Sequence, residues 1–298
     1  MKGVGNCVVA LALLAAGCAQ DEAGSGDTSR SAGMSETAAP MLYWVDAAGG
    51  TSRIQRANLD GTGVETLVEG DIDGARGLAL DHAARKMYWV TRDTDRLQRA
   101  NLDGSQIETI LASGLDSAFA LVLDTLNRKL YWTDYGANVI RRANLDGSGV
   151  KDLVTTGLDA PRGLALDLAG GRMYWTDRGT DKVQRARLDG SAVEDLVTTG
   201  LVEPYGVAVD ASRGTLYIAD AGTGKLLRAD LDGRDVRDLL SESGGPHPSY
   251  IELDFAAGKM YWSDNRVNTI FRANLDGSAR EIVIDGLAGP RGISIGIR

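Results

Sequence analysis

Cysteine is almost missing from this chain: two residues in 298, Cys7 and Cys18, both within the first eighteen positions. Everything after Cys18 therefore has no disulfide and no thiolate metal site, and its fold is held by packing and hydrogen bonds alone. Histidine is as scarce, with only His82 and His247, which leaves little material for imidazole catalysis or metal ligation. A positive balance is also missing. The 32 Lys and Arg stand against 41 Asp and Glu, a net charge of −9, which argues against nucleic acid as a partner because phosphate backbones demand a net basic surface. The apolar run from Val8 to Ala16 is too short to cross a bilayer as a helix. Three-and-four spacing of apolar residues over ten positions occurs nowhere, and Gly or Asp-Gly breaks interrupt every segment, so long amphipathic helices are excluded.

What is present begins with a leader. Lys2, the Val8 to Ala16 run and the small residues before Cys18 have the shape of an export signal over residues 1–18. Leu14-Ala15-Ala16-Gly17-Cys18 resembles a bacterial lipobox, with Ala15 standing where leucine is commoner. Cleavage there makes Cys18 the lipidated first residue and the membrane anchor; the alternative is an ordinary secretory signal that leaves a spare thiol. Residues 19–40, rich in Gly, Ser, Ala, Thr and acids, read as a flexible tether. The expected location is the bacterial cell envelope, lipid-anchored, on the periplasmic or outer-membrane face. Ala19 and Gln20 after the cysteine favour the outer membrane.

From Met41 onward one motif recurs six times: Tyr43-Trp44-Val45-Asp46, Tyr88-Trp89-Val90-Thr91, Tyr131-Trp132-Thr133-Asp134, Tyr174-Trp175-Thr176-Asp177, Tyr217-Ile218-Ala219-Asp220 and Tyr261-Trp262-Ser263-Asp264. Successive tyrosines lie 45, 43, 43, 43 and 44 residues apart, the period of one supersecondary unit. In the fourth copy, Pro161 to Asp167 and Met173 to Thr176 predict two strands joined by a Gly-containing turn. Val183 to Leu188 and Val193 to Val197 predict two more around Asp189-Gly190-Ser191. Four antiparallel strands per repeat are the content of one propeller blade. Leu164-Ala165-Leu166 and Met173-Tyr174-Trp175 are apolar at both parities, so both faces of each small sheet must be covered, which radial stacking achieves. All five tryptophans occupy the motif, as wedges between blades.

Residues 41–298 thus predict an all-β, six-bladed propeller. The first copy starts at its second strand, at Met41, while the chain ends in a lone inner strand, Pro290-Arg291-Gly292-Ile293-Ser294-Ile295-Gly296. The two ends complete one blade together and leave no open sheet edge.

The YWTD motif, the Asn-Leu-Asp-Gly turns at Asn58, Asn101, Asn144 and Asn274, and the Pro-Arg-Gly-Leu-Ala-Leu-Asp strand resemble the class B repeats of the low-density lipoprotein receptor family. The resemblance covers residues 41–298 and implies a six-bladed propeller that binds protein ligands. Thr91 replaces one motif Asp, Ile218 one Trp, and Arg187 and Asp230 two turn Asn residues. No cysteine-rich modules accompany the ring, so the receptors' endocytic biology does not transfer.

Residues repeated in every blade point to structure. The motif aspartates end a strand where carboxylates accept backbone N–H groups. The third-strand arginines Arg56, Arg99, Arg142, Arg185, Arg228 and Arg272 form a column of ion pairs and packed stems. Asp81, Asp124, Asp167, Asp210 and Asp254 start hairpin turns. Function is sought where the repeats differ. The second residue of each inner strand, at the channel mouth, is Arg76, Phe119, Arg162, Tyr205, Ser249 or Arg291. The loops between second and third strands open on the same face and add Tyr135 and Arg178, together with Arg92, Arg96, Lys182, Lys225 and Arg266, diluted by Asp93, Asp95 and Asp181. Arginine and aromatic residues are enriched in binding hot spots. The expectation is a monomeric, non-enzymatic scaffold that takes a protein, peptide or acidic glycan at this face, with no cofactor and no metal. The alternatives are a metal-dependent, lactonase-like hydrolase, disfavoured by three arginines where oxygen ligands are needed, and a purely structural envelope protein. His82 and His247 fall in different repeats and on opposite faces.

Overall fold

The structure, a computed structural model, describes residues 39–48, 51–241 and 247–297. The leader, the Cys18 lipidation site and the tether up to residue 38 lie outside the described residues. Among the described residues there are 24 strands and no helix. They form six antiparallel four-stranded sheets in the radial order of a propeller. Blade 1 runs from Pro40 to Glu69, blade 2 from Ala75 to Leu111, blade 3 from Ala118 to Val154, blade 4 from Pro161 to Val197, blade 5 from Pro204 to Ser241 and blade 6 from Pro248 to Ile284. In the fourth blade the strands are Pro161–Asp167, Arg172–Asp177, Lys182–Arg187 and Glu194–Val197, within one residue of the expected bounds.

Blade 1 lacks an innermost strand of its own and receives Pro290–Ile297 from the C-terminal end. Leu42 pairs with Ile295 and Trp44 with Ile293. A second clasp reinforces the seam. The buried Asp46 carboxylate accepts the backbone N–H of Ala288 at 3.0 Å and of Gly289 at 2.7 Å.

The core is six clusters, one per blade-to-blade interface, and the adjacent Tyr and Trp of the motif explain why. Neighbouring residues of a strand point to opposite faces. Each Tyr therefore faces the following blade and each Trp the preceding one. Tyr43 and Val45 meet Trp89, Tyr88 meets Trp132, Tyr131 meets Trp175, Tyr217 meets Trp262, and Tyr261 meets Trp44 across the seam. Ile218 fills the remaining slot against Tyr174. Four of the five tryptophans are fully buried and Trp262 is 3% exposed.

Most of the repeated polar residues hold this frame as expected. Each motif carboxylate ties down the loop that leads into its own blade: Asp134 accepts from Asp116 N, Asp177 from Asp159 N, Asp220 from Val202 N and Asp264 from His247 N. Arg56, Arg99, Arg185 and Arg272 pair with Glu65, Glu108, Glu194 and Glu281 on the outer strand of their own blade. The same guanidinium groups donate to a carbonyl of a neighbouring blade, as Arg185 does to Leu231 O at 2.8 Å. Arg142 and Arg228, expected to pair as well, stand opposite the cations Lys151 and Arg237 and form no ion pair there among the described residues. Asp81, Asp124, Asp167, Asp210 and Asp254 each accept a backbone N–H three residues on, opening the hairpin turn. The Asp-Gly turns need glycine for two reasons. Gly104 has φ +86°, and a Cβ there would stand 2.0 Å from Leu67 O of the preceding blade.

Candidate functional site

All six innermost strands run from the mouth of the channel to the opposite face, so their second residues form one ring and their third residues a ring below it. At the third position stand Gly77, Ala120, Gly163, Gly206, Tyr250 and Gly292. Small residues are required where inner strands crowd: a Cβ on Gly163 would meet Tyr205 O at 2.4 Å. Tyr250 breaks this column. From blade 6 it reaches across the axis to blade 3, stacks on Phe119 at 5.2 Å with planes 8° apart, and donates its hydroxyl to Phe119 O at 3.3 Å. The Tyr250 side chain thereby spans the axis just under the mouth. Burial pushes the Tyr250 hydroxyl well above the ordinary phenol range.

On this lid sits Arg162, 8% exposed. Its guanidinium carbon lies 4.1 Å from the Tyr135 ring centre, 4.5 Å from Phe119 and 5.2 Å from Tyr205. Three aromatic faces replace water around the cation. The compensation is incomplete: Arg162 Nε has no hydrogen-bond partner, and burial, helped by nearby Arg178, lowers its affinity for the proton. Tyr205 also packs edge-on against Phe119 and His247. Arg178 ion-pairs with Glu203 and lies 5.9 Å from the Tyr205 ring centre.

A second group forms toward blades 1 and 2. Arg76, Arg92 and Arg291 line a polar pocket of about 260 Å³ with Ser52, Asp93 and Asn265. Arg76 is 8% exposed. Burial lowers Arg76 below the usual guanidinium range, with Arg92 adding to it, and burial lowers Arg291, with Arg76 adding to it. The one carboxylate in the pocket, Asp93, is engaged by Arg92 Nε at 2.8 Å. Arg291 Nε is buried without a partner. Positive charge is therefore concentrated here and largely uncompensated.

The ring of second residues thus divides into an aromatic half around Phe119, Tyr135, Arg162, Arg178 and Tyr205, and a cationic pocket with Arg76 and Arg291. Ser249 joins neither. It is 1% exposed, and its hydroxyl donates to His247 O at 3.1 Å. Phe119, 4% exposed, is a floor under Arg162 and not an open surface. Several loop cations expected at the mouth are already spent on acids: Arg96 pairs with Asp71, Lys182 with Asp195 and Lys225 with Asp238. Asp95 and Asp181 accept backbone N–H groups of Ser117 and Glu203.

The sequence-derived candidates omit Tyr250 and Glu252, and His247 figures among them only as a discounted catalytic group. Tyr250 and Glu252 each stand out within their own column. At the fifth position of the innermost strands, Ala79, Val122, Ala165, Ala208 and Ser294 accompany Glu252. That carboxyl accepts the Ile295 N–H, and burial pushes it up to about 7. His247 sits at the mouth and His82 at the far end, within reach of Gly296. Among the described residues, no group of three or more His, Cys, Asp or Glu is placed to hold a metal ion.

Comparison with known proteins agrees with this geometry. The family model of the low-density lipoprotein receptor repeat class B matches residues 41–82, 128–168, 171–211 and 258–295. Curated relatives match one repeat-sized stretch. Protein cueball of Drosophila virilis is 34% identical over 50 residues, 17% of this chain and 8% of its own length. Nidogen-2 of Mus musculus is 46% identical over 50 residues, 16% of this chain and 3% of its own. Among solved structures, a nidogen/laminin complex superposes with a TM-score of 0.79 at 25% identity, covering 87% of this chain and 98% of the other. TolB from Acinetobacter baumannii shares the fold at 14% identity and a TM-score of 0.71, with 87% and 67% covered. With the family model matching more than half of its residues, and six closed blades built on the motif, this chain belongs to the low-density lipoprotein receptor class B repeat family.

Proposed function

We propose that the mouth of the channel is a non-enzymatic docking face for a protein partner that inserts an acidic side chain. The observation that carries this reading is the pocket of Arg76, Arg92 and Arg291, three cations sharing one carboxylate. Buried guanidinium groups without counter-charge gain most from an incoming carboxylate, which accepts two parallel N–H bonds from arginine. Beside the pocket, Tyr135, Tyr205 and Arg162 supply the rigid aromatic and arginine surface that anchors interfaces. A similar ring was solved as a nidogen/laminin complex, which supports a protein as the partner over a glycan. A hydrolase at this mouth would need oxygen ligands where Arg76, Arg162 and Arg291 stand.

Cross-linking followed by pull-down from envelope fractions should capture a partner on the wild-type ring. The combined Arg162→Ala, Tyr205→Ala and Arg291→Ala variant, with its melting transition retained, is expected to lose that capture. Undiminished capture would move the site elsewhere. Lipid anchoring on Cys18 belongs to the same proposal and rests on the lipobox alone. Cys18→Ser is expected to shift the protein from the membrane to the soluble fraction, and an unchanged distribution would remove the anchor from the reading.

A further inference from the structure

Beneath the Tyr250 and Phe119 lid the channel changes character. The innermost strands of blades 3 to 6 enclose a cavity of about 210 Å³ whose walls include Val122, Ala165, Leu166, Ala208 and Ile251, with Phe255 at the rim. Phe255 lies just past the end of its strand, on the face opposite the mouth, and is 53% exposed. The stacked rings of Tyr250 and Phe119 cross the axis between this cavity and the mouth.

One charged side chain lines it, Glu252. Among the described residues no Lys, Arg or His forms an ion pair with this carboxyl, whose recorded bond is the Ile295 N–H. A carboxylate withdrawn from water among aliphatic side chains is costly unless a cation joins it. The innermost strands are sheet edges, so backbone carbonyls on their free side turn toward the axis as further acceptors. A lone carboxylate and edge carbonyls set among aliphatic side chains form the complement of one chemical class. A divalent metal is a poor match, because Ca²⁺ takes six to eight oxygen ligands and Mg²⁺ demands an octahedral set.

We propose that this chamber is a binding site for a small organic ammonium ion, its charged head on Glu252 and its apolar body against Val122, Ala165 and Ala208. Size supports the assignment. An apolar cavity of about 150 Å³ holds benzene, so this chamber accepts a body the size of benzylammonium. The ammonium donates to the carboxylate and to edge carbonyls, a charge-assisted bond about twice as strong as a neutral one. The site is independent of the protein-docking face and lies on the other side of the lid.

The test is calorimetric titration of the full chain at pH 8 with benzylammonium and, separately, with its neutral analogue benzyl alcohol. Benzylammonium is expected to bind at least about tenfold more tightly. Glu252→Gln, which keeps the shape and removes the charge, should bring the two ligands together. Ala208→Leu, which fills the chamber from another blade, should abolish both. Equal binding of the two ligands, undiminished ammonium binding in Glu252→Gln, or no binding of either at millimolar concentration would each overturn the proposal. Circular dichroism melts of both variants verify that the ring is intact in each titration.

Discussion

Removal of residues 290–298 is expected to leave no soluble, cooperatively folding monomer. Those residues hold the innermost strand of blade 1, Pro290–Ile297. Without it the Pro40–Ala48 strand loses one complete ladder and becomes an open edge facing the channel. Ile293 and Ile295 also leave the cluster around Trp44 and Tyr261, so the seam between blades 6 and 1 loses part of its apolar contact. A ring opened at one joint exposes two blade faces built for burial, and exposed apolar faces and unpaired strands associate. Size-exclusion chromatography and thermal melting decide the matter. A monomer that melts like the intact chain would show that closure does not hold the ring, whereas restored solubility with a synthetic strand of residues 288–298 would show that it does.

Truncating one wedge gives the second large effect. Trp132 has no solvent exposure and packs among Tyr88, Val90, Leu97, Leu121 and Leu130 at the interface of blades 2 and 3. Its indole N–H has no partner, so Trp132→Ala forfeits packing alone and leaves a cavity that the β-sheets on either side cannot collapse to fill. The expected cost is about 3–5 kcal/mol, read from denaturant melts. At about 2–4 °C per kcal/mol for a domain of this size, the melting temperature falls by roughly 6–20 °C. Leu126→Ala, at a position 75% exposed, should change little. A loss below about 1 kcal/mol at Trp132 would contradict the wedge.

The frame was legible because each blade obeys short-range rules repeated six times. Adjacent Tyr and Trp must face opposite sides of a strand, and two such faces in every repeat demand a neighbour on each side. The half-blades at Met41 and Pro290 made closure readable in the same way. The candidate site was legible only as a ring of positions. That the second residues share the mouth followed from phase, yet which of them cooperate did not. Ser249 turns back to His247 in the loop before its strand, while Arg96, Lys182 and Lys225 are consumed by acids whose positions depend on loop and outer-strand geometry. Tyr250 and Glu252 were visible as breaks in columns of small residues, and comparing the third and fifth positions blade by blade would have singled them out.

The sequence by itself determined the number of blades, the strands within them, the wedge residues and the joint that closes the ring, because all of these depend on alternation, turn chemistry and spacing within about forty residues. Only the tertiary structure decided what lies at the axis. Tyr250 and Phe119 stand 131 positions apart in the chain and meet solely because closure sets blade 6 opposite blade 3. Their contact crosses the axis between a cationic mouth and a chamber lined by Glu252, and could not be read from either strand alone, since periodicity encodes which face a side chain takes and not how far it reaches across a cavity.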